Sequence, residues 1–258
     1  MGTYSSATRQ GAFEPFDLQV LRGQVDGHTA VFVSGFNATV GTSYETIWSE
    51  STVYSYPASA SVMTISSSSA SDTAAGTGAR TVTIYGLDGS YNQINETVSL
   101  NGQTGVSTTN SYLRVLHLTV NTAGSGGAAA GTIYAGTGAI TTGKPTNVYS
   151  AYTADGGATA CIYTVPAGYT GYIFDFLVSS GITTANAFSS IGLYGRPYGG
   201  VFDNTIQGRC ANGGAFTIPL NYPIYFSEKS DIEVRALSST SGANVTANFS
   251  ILLVKNPD

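Results

Sequence analysis

Charged side chains are scarce in this sequence. Asp, Glu, Lys and Arg make up 10% of its 258 residues, against roughly a quarter in an ordinary globular domain. Ten residues are basic, the net charge is −5 and the pI is near 4.9. A nucleic-acid partner requires clustered Lys and Arg to neutralise phosphates. Arg9, Arg22, Arg80 and Arg114 stand far apart and form no local patch, which argues against such a partner. Cysteine is scarce too. Cys161 and Cys210 cannot supply a disulfide framework, and a bond between them is disfavoured in a chain expected to fold in a cytoplasm. The longest apolar stretches, such as residues 172–178, fall far short of the roughly 20 residues that span a bilayer as a helix. Residues 1–10 are polar and do not read as a signal peptide. No membrane partner is expected.

Catalytic groups are equally thin. Of the two histidines, His28 opens an apolar strand and His117 alternates with Leu116 and Leu118, so both read as strand-surface residues. No pair of Cys or His has zinc-ligand spacing, and no Gly-x-Ser-x-Gly elbow offers a nucleophile. Residues 124–131 are glycine-rich but lack the Gly-Lys-Ser/Thr and helix start that hold phosphate. Asp155-Gly156-Gly157 and Asp203-Asn204 offer oxygens without the spaced acidic array of a calcium loop; Asx turns account for them more simply. The expectation is no catalytic residue, no metal and no cofactor.

What the chain does have is glycine (32), tyrosine (17) and phenylalanine (11), with abundant Ser, Thr and Ala. Strand surfaces favour β-branched and aromatic residues and turns favour Gly and Asn, so the composition predicts many short strands joined by tight turns. Residues 1–16 read as an extended arm, and strand signals begin at Phe16 with Leu18 and Val20. Two stretches, 46–48 and 52–54, predict a further strand, and 66–78 reads as a long polar surface loop. Val82 and Ile84, then Ile94, Val98 and Leu100, alternate with polar residues on either side of Asp88-Gly89, which predicts an antiparallel meander. In the second half Phe174, Phe176 and Val178 share one face. Ile232, Val234 and Ala236 alternate with Asp231, Glu233 and Arg235, which predicts a buried face backed by a charged outer one. The final strand sets Val245, Ala247, Phe249, Ile251 and Leu253 on one side. About eight strands per half is the pattern of sandwiches and jelly rolls. The predicted fold is all-β: an N-terminal arm (1–16) and two tandem antiparallel, jelly-roll-like sandwiches (17–143 and 144–258), divided at Thr142-Gly143-Lys144-Pro145.

Several stretches carry a resemblance. Residues 71–84, Gly86-Leu87-Asp88, and residues 96–102, 108–114, 122–127, 165–172, 196–202 and 227–236 together resemble virion structural proteins of marine tailed phages, with those of cyanobacteria closest in style. The resemblance covers most of the chain after the arm, and its motifs are structural, so no site residue can be carried over. It implies a non-enzymatic virion part, assembled in the host cytoplasm, most naturally a decoration, cement or knob protein on the head. It would self-associate as a homo-oligomer and contact the major capsid protein or other virion proteins. The rival is a tail- or fibre-associated part that binds a host glycan. The candidate contacts are Tyr4, Phe13 and Phe16 on the arm and Tyr149, Tyr152, Tyr194 and Tyr198 in the body; these last four could also stack on sugar rings.

Overall fold

The computed structural model describes residues 14–154, 157 and 160–257. They are almost wholly antiparallel β. After a short helix, α1 (Phe16–Leu21), come β1 (His28–Val40), β2 (Glu45–Thr46), β3 (Ser61–Ser67), β4 (Ala79–Leu87), β5 (Gln93–Ser99), β6 (Val106–Tyr112), β7 (Arg114–Ala123) and β8 (Ile133–Thr141). Then follow β9 (Lys144–Tyr152), β10 (Ile162–Thr164), β11 (Tyr169–Ser180), β12 (Phe188–Arg196), β13 (Asp203–Ala211), β14 (Gly214–Phe226), β15 (Asp231–Ser238) and β16 (Ala243–Lys255).

Four sheets result. Two have the orders β1-β16-β11-β14 and β10-β15-β12-β13, with β2 added to β15. Leave aside β2 and the segment 61–152, and the eight remaining strands take the orders 1-8-3-6 and 2-7-4-5. That is the double Greek key of a jelly roll. The other two sheets, β6-β3-β8-β9 and β5-β4-β7, form a second sandwich inserted between β1–β2 and β10. Each sandwich has its own core. In the jelly roll Val33, Ile173, Phe176, Leu193, Val234 and Phe249 meet between the sheets. Met63, Ile65, Ile84, Leu118 and Ile133 do so in the insert. Phe176 and Phe249 are wholly buried, and each such side chain contributes about 1.5–3 kcal/mol. At Gly35 the β1 backbone passes so close to the next layer that an added Cβ would lie 2.2 Å from the Cys161 nitrogen. Only glycine fits there.

The pairing corrects the tandem division. The expected boundary at 143/144 falls in the β8–β9 hairpin, where Thr142 (φ 49) and Gly143 (φ 80) form the turn and Thr141 pairs with Lys144. β1 pairs with β16 from His28↔Val254 to Val40↔Ala243. Strands choose partners by the apolar face they share, and here that partner lies at the far end of the chain.

Local expectations also shift. Residues 16–21 are helical rather than extended. The Pro15 carbonyl accepts the Leu18 and Gln19 N–H groups at 3.1 Å each, and Asp17 lies in the first turn. Phe174 points outward, 46% exposed, while Ile173, Phe176 and Val178 are buried. The cause is a bulge between Ile173 and Asp175 that resets the alternation. The Asp88-Gly89 turn is wider than a two-residue hairpin: Asp88 Oδ1 accepts the N–H groups of Ser90 and Asn92, and Tyr91 takes φ 68.

Segment 66–78 is not simply a surface loop, because Ser66, Ser67 and Asp72 are buried. The Asp72 carboxylate accepts Ala79 N–H (2.7 Å), Ala130 N–H (2.8 Å), Gly131 N–H (3.0 Å) and the Ser67 hydroxyl (2.6 Å), which ties two loops to β3. The expected strand over 46–54 contracts to β2. Beyond it Trp48 and Tyr54 pack edge to face at 5.0 Å.

Candidate functional site

β15 brings the charges together. Its inward residues Ile232, Val234 and Ala236 belong to the jelly-roll core, so Asp231, Glu233 and Arg235 project from the other side of the sheet. That side is covered: Asp231 is 3% and Glu233 0% exposed. β7 and the 47–60 connection close over it.

Arg114, the first residue of β7, reaches across from the insert. Its Nε donates to Asp231 Oδ1 at 2.8 Å and its Nη2 to Oδ2 at 3.0 Å. Arg196, at the end of β12, adds bonds of 2.5 and 3.2 Å to Oδ2, and the Thr164 hydroxyl donates to Oδ1 at 2.7 Å. Arg114 Nη1 donates to the carbonyls of Pro57 and Leu113. Glu233 accepts from Arg235, from the Thr46 hydroxyl at 3.1 Å and from the Tyr56 hydroxyl at 3.4 Å.

Aromatic rings interleave with these cations. The Arg114 guanidinium lies 5.0 Å from the Tyr56 ring centre, and Arg196 lies 4.8 Å from the same ring and 4.5 Å from Phe202. Arg235 lies 4.8 Å from Phe202 and 5.0 Å from Tyr194, which meets Tyr44 edge to face. The result is a ladder of alternating cations and rings along the junction of the two sandwiches.

The electrostatics favour fixed charge and bound protons. Burial pushes the Arg114 guanidinium down, but the Asp231 carboxylate outweighs it and the group is raised, so it stays charged. Burial raises the Glu233 carboxyl, opposed by Arg235 and by the hydrogen bonds from Thr46 and Tyr56. Burial likewise raises the Tyr54 phenol, which keeps its proton. A buried Asp–Arg pair held by two parallel bonds is a geometric lock. Removing one partner of such a pair costs about 3–5 kcal/mol.

Elsewhere, His28 Nδ1 lies 2.9 Å from the Asp26 carbonyl, and the His117 ring stacks on Tyr85 at 4.4 Å. Cys161 and Cys210 are free and buried, and burial raises both thiols. Among the described residues no cluster of three or more His, Cys, Asp or Glu could hold a metal, and no helix is long and apolar enough to cross a membrane.

Of the contact residues expected from sequence, Tyr4 and Phe13 lie outside the described residues, as does Asp155 of the loop weighed for calcium. Phe16 begins α1, half exposed, and meets the His28 ring edge to face. Tyr149 and Tyr152, on β9, are half-buried against the insert core. Tyr194 is half-buried in the ladder. Tyr198 is 68% exposed, with its ring edge-on to Tyr91 at 5.7 Å. The junction residues Arg114, Arg196, Asp231, Glu233 and Arg235 were not expected as a site. Their signal was the alternation of opposite charges with an apolar face, which reads as a solvated surface unless another layer is known to cover it.

No protein-family model matches the chain, and no curated protein matches it. Among solved structures, similarity is found to VP2 and viral particles of infectious bursal disease virus. The VP2 subviral particle is 12% identical, over 93% of this chain and 77% of that chain, with a TM-score of 0.22. The T13 viral particle is 11% identical, over 94% and 79%, again with a TM-score of 0.22. The Gx strain is 10% identical, over 94% and 82%, with a TM-score of 0.21. Likeness at that level fixes neither the fold nor the role of this chain. The fold rests on its own strand order.

Proposed function

We propose that this chain is a non-enzymatic virion structural protein that self-associates, and that it decorates or cements the head surface of a tailed phage. The observation that carries the reading is the strand order 1-8-3-6 over 2-7-4-5. It is the architecture of viral capsid subunits, shared with lectins and cupins, and the inference from it to a role is one of fold-level analogy. Three things agree with the reading. The resemblance of residues 71–84 and 227–236 to phage virion proteins is one. The buried polar network is another, since it ties sandwich to sandwich through Arg114 and Asp231. The third is the weakly charged, aromatic surface, which suits contact between subunits. Repetition on a symmetric shell turns modest contacts into firm attachment through avidity.

Copy number tests it. Quantitative mass spectrometry of purified particles should find hundreds of copies per head, reduced when Tyr198 is replaced by Asp. A dozen or fewer copies would move the protein to the tail and favour the adhesin reading, in which the exposed Tyr198 is the first ring to examine on a glycan array. Absence from particles would overturn the virion role.

A further inference from the structure

The outward face of the β1-β16-β11-β14 sheet has an unusual make-up. Phe32 (68% exposed) and Phe36 (45%) stand on β1, Phe174 (46%) and Leu177 (37%) on β11, and Tyr225 (61%) on β14. Tyr225 meets Tyr172 of β11 edge to face at 6.0 Å, which makes the aromatic cover continuous across two strands. Between these rings the outward positions of β16 are Thr246, Asn248, Ser250 and Leu252. Among the described outward residues from Ala30 to Phe36 on β1 and their neighbours across the sheet, one is charged, Asp175. Its carboxylate already accepts the Ser250 N–H at 2.7 Å and the Ser250 hydroxyl at 3.2 Å. The bulge that exposes Phe174 thus presents an aromatic ring and neutralises a backbone donor in one step.

We propose that this face docks against the same face of a second copy of the chain. The inference deepens the self-association in the reading above by naming its surface, and it rests on that reading for its biological setting. Area supports a second copy. At about 200 Å² for each aromatic side chain, the exposed fractions leave roughly 500 Å² of apolar side chain on the face. One partner of a standard interface buries about 800 Å², of which about 65% is apolar in homodimers, or roughly 520 Å². Charge supports it as well. A face that meets its own copy doubles every charge it carries, so a self-partner requires near-neutrality, whereas an unlike partner selects for opposite charge. Here the single carboxylate is held within its own sheet. A two-fold axis through the face would pack two sheets at the usual spacing of about 10 Å and interdigitate the rings.

The test is sedimentation velocity on the full chain between about 1 and 100 μM, concentrations that bracket ordinary homodimer affinities. The expected result is a dimer. F32K combined with Y225K should weaken association at least tenfold, roughly the effect of removing interface anchors, with an unchanged far-UV spectrum and, at a concentration too low for association, an unchanged thermal midpoint. V201K, on a loop residue 80% exposed, should dimerise like the parent. A monomeric parent chain overturns the inference, as does a double variant that still dimerises with parental affinity. A parent chain that becomes dimeric only after residues 2–13 are deleted also overturns it, because the N-terminal segment then occupies the face. The two readings fail separately. A dimer through this face that is absent from particles sinks the virion role alone, and a particle component that is monomeric in solution sinks this surface alone.

Discussion

The two broad outer faces of the jelly roll differ in what they carry and in what covers them. On the β15–β12 side lie the buried Asp231 and Glu233 and the half-buried Arg235 and Arg196, covered by the inserted sandwich and the 47–60 connection, with Asp231 locked to Arg114. On the β1–β11 side lie Phe32, Phe174 and Tyr225 with one carboxylate among them, open to solvent within the single chain. Charge is buried where the covering layer belongs to the same chain and its geometry can be fixed atom by atom. A face left to be matched by diffusion carries uncharged groups, whose contacts tolerate imperfect register. Covalent attachment permits the more exacting chemistry.

The sharpest way to break this contrast is Asp231→Ala. It leaves the Arg114 guanidinium buried without its carboxylate and should cost about 3–5 kcal/mol, read by urea denaturation. Replacing both partners, Asp231→Leu with Arg114→Met, should recover most of the loss; if the double variant is as unstable as the single one, the lock is not the cause. Next comes Asp72→Ala within the insert. It strands the buried Ala79 N–H and Ser67 hydroxyl and the more open N–H groups of Ala130 and Gly131, and should cost about 2–4 kcal/mol, with hydrogen exchange rising at residues 79, 130 and 131 before the jelly roll is affected.

Glu233→Gln is smaller and is read as a slope. Burial raises the Glu233 carboxyl in the folded state, so the fold holds that proton more tightly than the unfolded chain does. Its contribution is full below the ordinary value of about 4.3 and is lost as pH rises through the folded value. The stability of the parent chain minus that of the variant should therefore shrink from about pH 4 towards neutrality, checked by chemical denaturation across that range. On the open face, Phe32→Ser should change the stability of the isolated monomer by no more than about 0.5 kcal/mol, measured by thermal melting at a concentration too low for association. A larger loss would mean that Phe32 is part of the core after all.

Much of the strand content was legible because burial with period two writes itself into neighbouring residues. β4, β5, β15 and β16 follow from the alternation of Val82/Ile84, Ile94/Val98, Ile232/Val234 and Val245 to Leu253. The antiparallel, sandwiched class follows with them. The connectivity does not. Nothing near His28 says that its partner is Val254, and Thr142-Gly143 looks the same whether it joins two domains or two strands. The outer face of β15 was misread for a related reason: the pattern Asp-x-Glu-x-Arg reports which side is polar, while whether water or another sandwich lies beyond it depends on a layer supplied by residues more than a hundred positions away. β6, with Ser107, Thr108, Thr109, Asn110 and Ser111, gave no apolar period at all, since a sheet edge half open to solvent asks little of its side chains.

The two passages into and out of the insert run side by side, with the Cys161 N–H donating to the Ile47 carbonyl at 2.8 Å. The host barrel is therefore already sutured at the point where its guest departs. Excising the guest cassette and splicing those two strands with a brief linker leaves every jelly-roll ladder closed, and the naked ionic face of β15 becomes a socket onto which a different module, bearing its own arginine, could be grafted.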